Sequence, residues 1–136
     1  MADLIDDIIH EIGHAVEKRY DEFLYADGEI EDEFIFKRSR LKRILQHQGY
    51  NVEKHDFLNS EYSKELDFFL LEEVGYDALD MFSIDLFLNS YSATSLSEYF
   101  SNGFLEYYLG NSISLKQICP YIYKKLVVLH EEAQEW

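Results

Sequence analysis

The chain has 136 residues and a formal charge of −15, from 12 Lys and Arg against 27 Asp and Glu. Phosphate backbones need a basic surface, so nucleic acid is disfavoured as a general partner; the acidic field would favour cations and basic peptides, but reads first as a solvated surface that aids solubility. Hydrophobic residues are 47% and aromatics 16%, enough for a single domain over residues 1–136 with its own core. One Pro and six Gly leave few breakers, which predicts a mainly α-helical fold.

The first helix is predicted from a cap at Asp3 to about Tyr25, with a stop near Asp27-Gly28 and Asp6 and Asp7 in its first turn. Leu4, Ile5, Ile8, Ile9, Ile12, Ala15, Val16, Tyr20 and Phe23 give it a wide apolar surface that is expected to be buried. Within it stands His10-Glu11-Ile12-Gly13-His14, an H-E-x-x-H sequence. Helix positions four apart share a face, so His10 and His14 can direct two imidazoles at one point. That arrangement suits zinc, which takes imidazole nitrogens at about 2.0 to 2.1 Å in a tetrahedron. Glu11 lies about 100° round the helix from His10, beside such a metal, where a carboxylate can take a proton from water. The same five residues can also arise by chance, which leaves a helical interaction protein without metal as an alternative.

From Glu29 to Gln48 the pattern is helical, with acids first and Lys37, Arg38, Arg40, Lys42 and Arg43 later; these bases read as a solvated face. Ser60 to Val74 reads as a third helix, with Tyr62, Leu66, Phe69 and Leu70 inward and a stop at Gly75. Asp77 to Leu88 is helical, or else Phe82 to Leu88 is a short buried strand. His47, His55 and His130 have no ligand-spaced partner and read as surface or hydrogen-bonded histidines. Cys119 is alone, so neither an internal disulfide nor a Cys-rich zinc module is expected. There is no signal peptide and no run of 18 apolar residues, so no membrane partner is expected; the compartment and the oligomeric state stay open.

Thr94 or Ser95 can cap a further helix from about Leu96 to Leu109, ended by Gly110. Glu98 falls in its first turn. Ser95-x-x-Glu98 is a capping box, so the Glu98 carboxylate either reaches back to the cap's N–H or serves as a third ligand. The pairs Phe68-Phe69, Tyr99-Phe100 and Tyr107-Tyr108 read as core anchors rather than stacking platforms.

Taken together, His10-Glu-Ile-Gly-His-Ala-Val16 and the later Tyr91-(six residues)-Glu98-Tyr-Phe-Ser-Asn-Gly-Phe104 resemble the anthrax lethal factor-like zinc metallopeptidases, a group that includes the Pro-Pro endopeptidases. Leu115-Lys-Gln-Ile-Cys-Pro120-Tyr-Ile-Tyr123 is similar to that family's closing segment. The resemblance implies a zincin-like helical domain in which the H-E-x-x-H helix packs on a second helix carrying the third ligand. It further implies one zinc ion held by His10, His14 and Glu98, with Glu11 activating the water and Tyr91 stabilising the oxyanion. Two imidazoles and a carboxylate leave a fourth position for water, the His2Glu set of catalytic zinc. The expected reaction is hydrolysis of a peptide or protein substrate.

Three departures from the family are visible. Asn102 stands where the family has Glu, so it would support the metal ligands by hydrogen bonding rather than by charge. Residues of about 27–80 form a helical insertion between the two motifs. Only nine residues precede His10, whereas zincins place a sheet there whose edge strand holds the peptide. The chain is therefore expected to be either a fragment lacking that sheet or a reduced domain, and a non-catalytic zincin-like binding or scaffold module is the alternative function.

Overall fold

A computed structural model describes residues 2–134, and the side chains of residues 4–132. Among the described residues there are eight α-helices and no strand. They are α1 (Ala2–Arg19), α2 (Asp21–Tyr25), α3 (Glu29–His47), α4 (Lys64–Phe68), α5 (Tyr76–Phe82), α6 (Leu96–Leu109), α7 (Ser112–Ile118) and α8 (Pro120–Gln134). A π-helical turn, Phe69–Val74, follows α4, and a 3-10 turn, Ser90–Ala93, precedes α6. No helix is long and apolar enough to cross a membrane among the described residues.

Local signals set most of the boundaries. The helix predicted to run to Tyr25 breaks at Tyr20, whose ψ of 23° leaves the helical region and separates α1 from α2. Residue 3 already lies within α1, and the side chain of Asp3, read as a cap, lies outside the described residues. Gly28 starts α3 at φ +75°, and Gly75 closes the π-helical turn at φ +84°, both in the left-handed region that glycine enters at little cost. Ser63 caps α4 by accepting the N–H of Leu66 at 3.3 Å. The residues before Ser63 are therefore outside the helix, and Tyr62, expected inward, is 54% exposed. After α5 the chain turns through Asp85 at φ +67°, and Phe82 to Leu88 forms no strand. Pro120 opens α8, where its missing N–H costs nothing.

The core is built round α3. Ile30, Phe34, Leu41 and Leu45 are fully buried, and Phe34 packs with Phe87 and Tyr99 at ring separations of 6.2 and 5.2 Å. Residues 50–80 add Val52, Phe57, Leu66, Phe69, Leu70 and Leu79, and α6 to α8 add Phe100, Leu115, Ile122 and Leu126. The stretch read as an insertion thus supplies much of the hydrophobic interior. Of the aromatic pairs, Phe69, Tyr99 and Phe100 are core residues, whereas Phe68 and Tyr108 are exposed. His47 is exposed, His55 stacks on Phe69 at 4.5 Å, and His130 neighbours the hydroxyl of Tyr108.

Two sequence expectations fail here for related reasons. The bases of α3 do not all face solvent: Lys37 and Arg38 are buried. The Arg38 guanidinium donates to the carbonyls of Ala93 at 2.9 Å, Asn59 at 3.3 Å and Asp56 at 3.4 Å, and it lies over the rings of Phe34 and Phe57. Burial pushes its pKa down to about 10, and Asp56 opposes the shift, so it stays charged at neutral pH. Backbone carbonyls solvate a cation that the helix period had assigned to the surface. Lys37 Nζ donates to Tyr99 Oη at 2.8 Å and to the carbonyl of Ile118. Conversely, the apolar face of α1 is wider than its neighbour can cover. Leu4, Ile5, Ile8 and Ile12 are 60%, 51%, 50% and 43% exposed, and only Ile9, Val16 and the following Tyr20 and Phe23 pack on the core.

Candidate metal centre

The site is made where α1 crosses α6. Gly13 permits the close approach: a Cβ there would lie 3.3 Å from the Cα of Ser101 and from the Cβ of Phe104. Small residues at the crossing bring the backbones together, so side chains one turn along each helix meet rather than merely face each other.

His10 and His14 come from α1 and Glu98 from the first turn of α6. Nε2 of His10 lies 2.9 Å from Glu98 Oε2, and Nε2 of His14 lies 3.1 Å from Glu98 Oε1. The two imidazole rings stand edge to face with centroids 4.7 Å apart. One potential ligand atom from each residue lies within 4.8 Å of the others, and this His-His-Glu group can hold a metal ion. The donor set fits zinc, since ligand atoms on a tetrahedron of about 2.0 to 2.1 Å bonds sit roughly 3.3 Å apart. Side-chain exposures of 22%, 28% and 14% leave the group walled by protein yet open to a water molecule.

Local sequence left two roles open for Glu98. Ser95 Oγ accepts the N–H of Glu98 at 3.1 Å, which is one half of a capping box. The Glu98 carboxylate, however, faces the two imidazoles. Asn102, one turn on, donates its amide to the Glu98 carbonyl at 2.8 Å and stands 3.4 Å from Oε2; its own oxygen accepts from Asn89 Nδ2 at 3.0 Å. An amide chain from Asn89 through Asn102 therefore steadies Glu98.

Behind His14 lies a second set of contacts. Nδ1 of His14 is 3.0 Å from Ser97 Oγ and 2.9 Å from Ser101 Oγ, and Ser97 Oγ donates to Glu17 Oε1 at 2.6 Å. The other Glu17 oxygen accepts the hydroxyl of Tyr25. Sequence reasoning missed Glu17, Ser97, Ser101 and Asn89. The one signal available was that Glu17, three residues after His14, shares its helix face.

The remaining two residues singled out by sequence are less tightly placed. Glu11 is 78% exposed, with Oε1 3.9 Å from His10 Nδ1, on the ring edge away from Glu98. Tyr91 lies in the 3-10 turn and is 41% exposed. Burial, then the charges of Glu98 and Asp67, raise its hydroxyl pKa above the ordinary tyrosine value. The turn is anchored from outside: Arg38 holds the carbonyl of Ala93, and the N–H of Leu96 donates to the carbonyl of Ser60 at 2.8 Å.

Such a group could hold a divalent cation, and three protein ligands would leave a tetrahedral ion a fourth position for water or a carbonyl oxygen. No family of known proteins matches the chain, and no curated protein or solved structure is significantly similar to it.

Proposed function

We propose that this chain is a zinc-dependent endopeptidase domain of the lethal factor-like, zincin type, acting on a peptide or protein substrate. The observation that carries the reading is the meeting of both H-E-x-x-H imidazoles with the carboxylate of Glu98, which is 84 residues beyond His14 in sequence and on another helix. A chance motif has no reason to meet a carboxylate at the position where the resemblance expects a third ligand.

Zinc, when bound, polarises a substrate carbonyl and lowers the pKa of water to about 7. In this reading His10, His14 and Glu98 hold it, one ion per chain. Glu11, whose carboxylate is free to turn in solvent, takes a proton from the attacking water and passes it to the leaving amine. Tyr91 Oη donates a hydrogen bond to the carbonyl oxygen as negative charge gathers there. Asn102 keeps Glu98 turned toward the imidazoles, and residues 27–80 act as a brace for the turn that carries Tyr91.

A second reading, a non-catalytic zincin-like binding module, is favoured by the outward position of Glu11. One set of measurements separates them. Zinc per chain after dialysis is expected near one and is lost in His14→Ala and Glu98→Ala. Glu11→Gln is expected to retain zinc while abolishing cleavage of a mixed peptide pool. Retained cleavage in that variant overturns the mechanism, and zinc without any cleavage by the native chain selects the binding module. A native chain that takes up no zinc overturns both.

A further inference from the structure

The contacts behind His14 have a fixed direction. A carboxylate can only accept, so the 2.6 Å contact between Ser97 and Glu17 is a hydrogen bond donated by the serine hydroxyl. With its single proton committed, Ser97 Oγ can offer His14 only a lone pair. The 3.0 Å contact with His14 Nδ1 is then an N–H donated by the imidazole. A neutral imidazole protonated at Nδ1 has its lone pair at Nε2, which a zinc ion seated between His14 and Glu98 would take; without the ion, the 3.1 Å contact of Nε2 with the Glu98 carboxylate is one that only an Nε2–H can make.

We infer that Glu17 is a positioning residue for the metal centre, acting through Ser97 to hold His14 in the Nδ1-protonated form with its ring aimed at the metal. This rests on the zinc reading above and goes beyond it. Carboxylates commonly orient ligating histidines by direct contact; here a serine hydroxyl is interposed. The geometry explains why a direct contact is absent. Glu17 follows His14 on the same helix face, about one turn further along α1, and α6 places Ser97 in contact with both. Tyr25, from α2, fills the other oxygen of Glu17 and so ties the break after α1 to the same relay. Ser101 Oγ is also close to Nδ1, at 2.9 Å, but no carboxylate orients it among the contacts described. Ser97 is the committed acceptor of the two.

The test is zinc affinity of the full chain, measured by competition with a chromogenic chelator, for the native sequence and a set of variants. Glu17→Gln and Ser97→Ala are each expected to weaken zinc binding about 10- to 100-fold, the usual loss when a metal ligand's outer partner is removed. The double variant is expected to be no weaker than the worse single one, because both break the same chain of bonds. Ser97→Thr, which keeps the hydroxyl, is expected to restore most of the affinity. Ser101→Ala is expected to have a smaller effect than Ser97→Ala. The melting temperatures of the metal-free variants are expected to stay close to native, which separates positioning from loss of fold. In the zinc-loaded native chain the His14 Nδ1–H proton should exchange slowly enough to be seen by nuclear magnetic resonance, and it should be lost in Ser97→Ala.

Zinc affinities within twofold of native for both single variants overturn the relay while leaving the metal centre standing. So does full additivity in the double variant, or a larger loss in Ser101→Ala than in Ser97→Ala. A native chain that binds no zinc, with the same chelator, overturns the metal reading itself and the relay with it.

Discussion

Helices α1 and α3 have almost the same length, 18 and 19 residues, and both read as amphipathic, yet they do opposite work. Helix α3 is the centre of the interior and even buries two of its cations. Among its described side chains, helix α1 places no apolar group in the fully buried core, and the one buried position among them is Gly13, at the crossing with α6. The lesson is a division of labour: stability is lodged in α3, and two of the three candidate metal ligands in a helix that leans on one neighbour.

The sharpest contrast should come from truncations. Phe34→Ala removes a fully buried ring at the centre of α3 and is expected to cost about 3–5 kcal/mol, read from denaturant unfolding. Ile8→Ser, on the outer face of α1, is expected to stay within about 0.5 kcal/mol of native. A comparable loss from Ile8→Ser would mean that α1 is built into the core after all.

Gly13→Ala probes the close approach of α1 to α6. The added methyl would press on the Ser101 backbone, which cannot swing aside, and on Phe104. An overpacking cost of about 1–3 kcal/mol is expected, accompanied by weaker zinc binding as the two helices part. Unchanged zinc affinity would show that the crossing distance does not control the site.

Zinc should act on α1 selectively. A ligand that bridges α1 and α6 stabilises the joined state by about 2.7 kcal/mol at a hundredfold excess over its Kd. Adding zinc is therefore expected to slow amide hydrogen exchange in residues 8–16 far more than in 34–45, and a chelator should reverse it. Equal slowing in both helices would erase the distinction between them.

The smallest effect concerns the chain's outer rim. The hydroxyl of Tyr62 donates to Asp67 at 2.6 Å, and this bond, with some burial, lifts its pKa to about 12. Because the folded form holds the proton more tightly, the stabilising contribution is complete below about pH 10 and is lost as pH rises through about 12. Ultraviolet titration of tyrosinate should show several late-titrating groups, of which Tyr62 and Tyr76, whose hydroxyls both donate to Asp67, move toward the ordinary range in Asp67→Asn, with little change in unfolding at pH 7.

These contrasts also show what the chain's letters carry. The span of α6, its Ser95 cap and the span of α3 were legible because each depends on neighbours within a few residues: a serine at the cap, acids in the first turn, a glycine beyond the end. The pairing of His10 and His14 was legible for the same reason. The burial of Arg38 was not, because the carbonyls that solvate it belong to residues 56, 59 and 93. Nor was the exposure of Leu4 and Ile8, since helical periodicity reports that a face is apolar and says nothing of whether a partner is wide enough to cover it. Glu17 and Ser97 escaped notice because they matter only once α1 and α6 have crossed.

The lone cysteine gives the comparison a clock. Cys119 sits 3.8 Å from Lys37 Nζ in the interior shared by α3 and α7, and burial pushes its thiol up to about 11. Since the thiolate is the form that reacts with disulfide reagents, modification at neutral pH has to wait for that seam to open. The rate of colour release thus reports how readily the interior around Cys119 opens, using a residue the chain already has. A metal that only tightens α1 onto α6 should leave the rate nearly unchanged, and the same tube can report on the two halves of the protein separately.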